Sequence, residues 1–240
     1  MEVLTRNNTI TGTTYLEDPT IFAWELINEP RCVSDPSGRT LQAWIEEMAG
    51  YVKSIDRNHL LEVGLEGFYG DSMEERKRFN PGYGVGSDFI ANNLDPHIDF
   101  STIHLYPDQW IPGSDVADQF AFLQAWIQAH ADDAGEVIGK PLLIAEFGRP
   151  WRCSEGGSLS QRDDLYQMVY SDIYASAAAG GPCAGALFWQ LLVAGMDGLR
   201  DGYEVIFSES PSTASIIYRH SRRLSVLNMP FTAARAVAVT

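Results

Sequence analysis

Five short runs of almost uninterrupted apolar residues, separated by helical patterns, restrict the folds open to this chain more than any other feature. The runs are Ile21–Ile27, Leu60–Leu65, Phe100–Leu105, Leu142–Phe147 and Ala184–Leu191. Continuous hydrophobicity over six to eight residues, without in–out alternation, fits strands buried on both faces, as in a parallel sheet covered by helices. After the first run, Leu41, Trp44, Ile45, Met48, Val52 and Ile55 recur at three-and-four spacing and make one apolar helical stripe. After the third, Val116, Phe120, Leu123 and Ile127 predict a helix behind a cap at Ser114. After the fourth, Ser160 and Asp163 come close to a capping box, with Leu165, Met168, Val169 and Ile173 on one side. Gly180-Gly181-Pro182 closes that helix, because glycine takes the left-handed cap and proline cannot continue the turn. A last helix is predicted from Ser212 to Leu227, with Ile217 and Leu224 inward. The connection after the second run is long and glycine-bearing, with a short helical run near Met73–Arg78. No linker or low-complexity tract interrupts the order, so residues 1–240 read as one α/β domain with a parallel sheet.

Charge narrows the partners. With 32 acidic against 17 basic residues the net charge is −15, which repels nucleic acid and anionic lipid and suits a neutral or cationic partner. No apolar stretch reaches the ~18 residues of a membrane span. Met1–Asn7 lacks the apolar core of a signal peptide. Cys32, Cys153 and Cys183 show no zinc-type pairing, and their odd number leaves one without an intrachain partner. The sequon Asn7-Asn8-Thr9 matters only in a secreted chain.

Ligand sites on parallel sheets collect where the strands end. Here the ends read Asn28-Glu29-Pro30, His104-Leu105-Tyr106-Pro107, Glu146-Phe147-Gly148 and Trp189-Gln190. Two carboxylates facing a cleft are the minimum equipment for splitting a glycosidic bond: one protonates the leaving oxygen, the other attacks the anomeric carbon or activates water. Each residue alone also has a plain structural reading, as an ion pair for the glutamates and as core for His104 and Trp189. The four stations falling at the same end of the strands favour a site.

Glu29 and Glu146, in these surroundings, resemble the catalytic pair of the retaining (β/α)₈ glycosidases of glycoside hydrolase family 5. The resemblance is closest to plant endo-β-mannanases, in Trp24–Cys32, Gly64–Gly70, His104–Trp110, Ala145–Pro150 and Phe188–Leu191, and it runs from about Thr5 to Asn228. It implies retaining endo-hydrolysis of β-1,4-mannosidic bonds in mannan, galactomannan or glucomannan, without metal or cofactor. Glu29 is then the acid/base and Glu146 the nucleophile. Asn28 holds the sugar's 2-hydroxyl, His104 and Tyr106 position substrate and nucleophile, and Trp189 is the stacking platform, with Trp110 and Trp151 as candidate extensions. Retention needs the two carboxyls roughly 5–5.5 Å apart, and acid catalysis needs Glu29 raised in pKa by burial and a neighbouring charge. Glu25 reads as an interior ion-pair partner and Glu66 as a loop residue.

By the same resemblance the chain corresponds to a partial TIM barrel, strands four to eight. Residues 1–19 would be the end of the third helix and its loop, 20–228 the strands with their helices, and 229–240 a tail. The first three strand–helix units find no counterpart, so the expectation is an open sheet with two edges prone to self-association. Weak or no hydrolysis by this chain alone is expected with it, since a displacement of about 1 Å can cost about a hundredfold in rate. An extracellular, cell-wall location is implied by the family. A related β-glucanase, a non-catalytic carbohydrate-binding remnant built on Trp189 and Tyr106 with Trp110 as a candidate third, and a fragment without function of its own are the alternatives.

Overall fold

The computed structural model describes residues 2–151 and 157–237, with side chains through Leu227. Cys153 and the side chains of the predicted tail lie outside the described residues, while Cys32 and Cys183 are free. The chain forms two compact units, Met1–His104 with Asp132–Leu142, and Leu105–Ala131 with Leu143–Thr240. No described helix is long and apolar enough to cross a membrane.

In the first unit, strand β1 (Ala23–Glu25) pairs in parallel with β2 (Leu60–Glu62), with Trp24 opposite Leu61. Both strands are shorter than their apolar runs, yet the contact continues beyond them. Leu26 N–H donates to the Glu62 carbonyl (3.1 Å), and Glu29 N–H to the Gly64 carbonyl (2.8 Å). The chains draw this close because Gly64, at φ 92°, has no side chain; a Cβ there would stand 2.1 Å from the Ile27 carbonyl oxygen. Strand β3 (Ser101–Leu105) runs beside β2, with Asp99 N–H donating to Leu61 O (2.8 Å) and His104 N–H to Glu66 O (3.0 Å). Helix α1 (Arg39–Ile55) turns Leu41, Ile45 and Ala49 inward against Leu61, Val63, Leu65 and Ile98. Leu41 and Ile45 belong to the predicted stripe, whose Trp44 and Val52 are partly buried on the same core, and Ala49 lies outside it. Its end is fastened by Asp56, which accepts from Trp24 Nε1 (2.7 Å) and faces His59 Nδ1 (2.6 Å). The glycine-bearing connection carries a kinked 3₁₀ run, Asp71–Phe79, and a one-turn helix α2 (Phe89–Asn93) too short for any sequence period to reveal.

The second unit begins at Leu105 and continues into a short helix α3 (Pro107–Trp110) and the long α4 (Val116–Asp133). The first turn of α4 is capped by Asp115, whose carboxylate accepts from Asp118 N–H (2.8 Å), and not by the predicted Ser114. Strand β4 (Leu142–Phe147) matches its apolar run and neighbours β5 (Cys183–Ala186). Leu187 N–H to Ile144 O and Trp189 N–H to Phe147 O (both 2.9 Å) carry that pairing past the end of β5 in the parallel sense. Helix α5 (Leu159–Ala178) starts behind Ser158, whose hydroxyl accepts from Gln161 N–H (3.2 Å), two residues earlier than predicted. It ends where Gly180 takes φ 77° and Gly181 N–H returns to the Ser176 carbonyl (2.8 Å). Helix α6 (Pro211–Val237) packs on α5 and outruns the predicted stop at Leu227. It buries Thr213, Ile216 and His220, whereas the predicted Ile217 and Leu224 are only partly buried.

Candidate active site

Glu29 stands at the exit of β1, in a left-handed backbone conformation (φ 50°) that is uncommon for a residue with a side chain. Its amide bond to Gly64 and the burial of Pro30 hold that conformation. The carboxylate meets His104 Nδ1 at 2.8 Å from one oxygen and Arg31 Nη2 at 3.7 Å from the other. His104 is fully buried on β3. Arg31 in turn forks onto Glu66, with Nε at 2.8 Å and Nη2 at 2.6 Å from its two oxygens. Glu66 lies outside any helix or strand, as read from the sequence, yet it is buried, and burial pushes its carboxyl up while the Arg31 bond pulls against that. Asn28 is exposed beside Glu29.

The protonation of Glu29 departs from the sequence-based expectation. The hydrogen bond from His104 holds its carboxyl below the usual range; burial opposes this, and the charges of His104 and Arg31 add to it. A neutral imidazole donating from Nδ1 or an imidazolium would both favour the carboxylate. Glu25 also differs. No cation pairs with it among the described residues, and it bonds to the buried Glu62, whose carboxyl is pushed up to about 9 by burial first and by Glu25 second. Glu62 is further tied to Thr102 Oγ1 (3.1 Å), on the strand that carries His104.

In the second unit Glu146 lies near the end of β4, partly buried, and accepts from the Tyr106 hydroxyl at 2.6 Å. Tyr106 is buried, edge-on to Tyr203 with 5.7 Å between ring centres. The Tyr203 hydroxyl donates to Asp108 and accepts from Gln109 Nε2 (3.0 Å). Trp189 is 42% exposed, is joined to Gln190 by a cis peptide, and donates from Nε1 to Asp201 (2.8 Å). Trp110 does not extend this surface. Trp110 is buried against Trp126 and Phe122 (5.3 and 6.4 Å between centres), and Trp151 is partly buried under the Arg162 guanidinium (5.3 Å).

Residues 1–201 match the family described as GH family 5 beta-mannosidase-like. The chain belongs to that family. It is 61% identical to mannan endo-1,4-beta-mannosidase 1 of Oryza sativa subsp. japonica, over 97% of this chain and 54% of that protein. It is 55% identical to mannan endo-1,4-beta-mannosidase 7 of Arabidopsis thaliana, over 95% of this chain and 53% of that protein. The chain thus spans about half the length of the relatives it matches. Among solved structures it resembles an endo-1,4-beta-D-mannanase of Thermotoga petrophila (TM-score 0.75, 33% identity, 92% of this chain and 62% of the other). An endo-1,4-beta-mannanase of Rhizomucor miehei is similar (TM-score 0.73, 32% identity, 93% and 59%).

Within this GH family 5 chain, each unit pairs one glutamate with one dedicated hydrogen-bond donor: Glu29 with His104, Glu146 with Tyr106. Glu29 thus meets an imidazole and a guanidinium, and Glu146 accepts from the Tyr106 hydroxyl. Sequence reasoning missed Arg31, although it directly follows Asn28-Glu29-Pro30, because an arginine after a turn has no period to mark its direction. It also missed Asp201 and Tyr203, which lie in a loop whose only local signal is the Asp-Gly pair of a turn.

Proposed function

We propose that this chain carries the catalytic glutamates of a retaining endo-β-1,4-mannosidase acting on mannan, galactomannan or glucomannan. Its five strands would correspond to the fourth to eighth of a (β/α)₈ barrel. The observation that carries the reading is the pairing of each strand-end glutamate with its own donor, both donors coming from the His104-Leu105-Tyr106 end of β3. In this scheme Glu146 attacks the anomeric carbon while Glu29, protonated, gives its proton to the leaving glycosidic oxygen. Water then releases the glycosyl group from Glu146 with Glu29 as the base. Tyr106 fixes which way the Glu146 carboxylate points. Asn28 takes the 2-hydroxyl, and Trp189 offers its face to the apolar side of a neutral hexose.

The low pKa of Glu29 suits the base of the second half. The acid role of the first half requires a proton taken up against His104 and Arg31. That requirement also supports a second reading, a sugar-binding chain that does not hydrolyse. Fall in viscosity of soluble galactomannan, with the Glu146→Ala variant alongside, tests the choice. Hydrolysis lost in the variant supports the enzyme; binding without hydrolysis in both supports the second reading.

Two further parts of the reading concern association and location. Among the described residues β1 is paired on one side only, and so is β5. Exposed Phe22 and Ile27 flank the first, Leu187 and Leu191 the second, which favours self-association through these edges. Sedimentation at several concentrations tests it, and a monomer throughout would exclude it. Export to the cell wall is favoured by exposed Asn7 in its sequon. A glycan at Asn7 after passage through a secretory pathway is the expected result.

A further inference from the structure

Trp189 leaves the sheet of the second unit just after its amide donates to the Phe147 carbonyl (2.9 Å), and its side chain then stands 42% exposed. An indole this open is not fully held by packing, and a ring free to change rotamer offers its face to a ligand only part of the time. Asp201 restrains it. One Asp201 oxygen accepts from both Trp189 Nε1 and Gln190 Nε2 (2.8 Å each), and the other accepts from the Tyr203 amide (2.9 Å). Three donors thus converge on a single carboxylate.

Asp201 is itself well anchored. On one side the Tyr203 hydroxyl is bound between Asp108 and Gln109, and its ring meets Tyr106 edge-on, the residue that holds Glu146. On the other, Arg200 bonds Asp197 (2.8 Å) and forks onto Glu209 (2.8 and 2.7 Å). The loop is therefore fixed at both shoulders of the aspartate, and its carboxylate is a fixed point for the indole to bond.

We propose that Asp201 is a positioning residue that locks the Trp189 indole as the stacking face for a neutral sugar. The sugar half of this inference rests on the reading of Trp189 given above; the lock itself does not. An asparagine at 201 would present one neutral oxygen in place of two charged ones, so it would keep only part of the grip.

The chain carries six tryptophans, and labelling with 5-fluorotryptophan gives each a ¹⁹F resonance, Trp189 being assigned by its loss in Trp189→Phe. In Asp201→Ala the Trp189 resonance is expected to shift and narrow as the ring gains freedom, with the other five unchanged. Asp201→Asn should fall between, and it decides the matter if the alanine variant disturbs all six. Mannohexaose is then titrated in a Glu146→Ala background, which prevents turnover. Asp201→Ala should weaken binding about tenfold, the loss of one charge-assisted hydrogen bond. The same change in Trp189→Phe, whose ring has no N–H to hold, should have no effect. A Trp189 resonance indifferent to both Asp201 variants overturns the lock. A tenfold loss that persists with phenylalanine at 189 shows that Asp201 acts elsewhere and overturns the proposal too. If mannohexaose does not bind the parent at all while the Trp189 resonance responds, the lock stands and the mannan reading fails.

Discussion

Glu29 and Glu146 are one residue type at equivalent stations, each at the end of a strand in its own unit, and their surroundings differ in kind. Glu29 faces an imidazole and a guanidinium from a backbone turned to φ 50°. Glu146 faces a phenol from a regular strand. The first environment favours charge and carries backbone strain of about 1 kcal/mol or more; the second includes a hydroxyl that fixes one oxygen of the group. The difference teaches that position along a strand brings a carboxylate to a site, while the groups around it decide its protonation. The left-handed backbone falls on Glu29, the residue whose proposed role requires a change of protonation.

The strongest way to break this comparison is to remove each carboxylate. Glu29→Ala and Glu146→Ala are each expected to lower galactomannan hydrolysis by about a thousandfold or more. Added azide should then separate them. It should give a mannosyl azide of inverted configuration with Glu146→Ala, by direct attack, and of retained configuration with Glu29→Ala, by attack on the covalent intermediate. The same anomer from both variants would erase the assigned roles.

A second contrast lies between two tryptophans of the second unit. Trp110→Ala should lower unfolding free energy in urea by about 3–5 kcal/mol, because it empties a buried aromatic cluster. Trp189→Ala should lower it by less than about 1 kcal/mol but weaken mannohexaose binding the more. The reverse ranking would return Trp110 to the sugar surface.

The donors give a smaller effect. Tyr106→Phe should reduce kcat about tenfold by freeing the Glu146 carboxylate. His104→Gln should instead move the titration of Glu29 upward, towards an ordinary carboxylate, as read by ¹³C-carboxyl NMR without substrate. A Glu29 titration that stays in place or falls would show that His104 is not what holds it down.

The smallest effect expected is on stability against pH in the first unit, where two acids act with opposite signs. Glu62 has a folded value of about 9 against an ordinary 4.5, so its contribution is complete below the ordinary value and is lost as pH rises towards the folded one. Glu29 is lowered, so its contribution is present above its ordinary value and is lost as pH falls through the folded one. Glu62→Gln should flatten the decline of Tm between the ordinary value of 4.5 and about pH 9. An unchanged slope would show that Glu62 is not its source.

Much of the architecture was legible in the residues. Leu142–Phe147 was delimited to the residue, because a strand covered on both faces is apolar throughout and its neighbours are not. The ends of β1 and β5 were not, since hydrogen bonding carries on past the regular ladder wherever a glycine such as Gly64 lets two chains converge. Caps were misplaced by one or two residues in the polar clusters before α4 and α5. Several side chains there can bond an amide, and the backbone turn selects one. Both glutamates and their two donors were legible as strand-end polar residues. Arg31 beside Glu29 in the first unit, and Asp201 and Tyr203 in the second, were not, because they lie in turns.

The sequence by itself determined the strand–helix order, the family, and which residues stand at the strand ends, because these follow from apolar periodicity and local motifs. Only the tertiary structure decided that Trp110 is core while Trp189 is open, that Glu25 shares a hydrogen bond with another acid, and that Glu29 is held as a carboxylate. Burial and charge balance depend on groups far apart in sequence: 75 positions separate Glu29 from His104. Such fields arise only once the chain has folded.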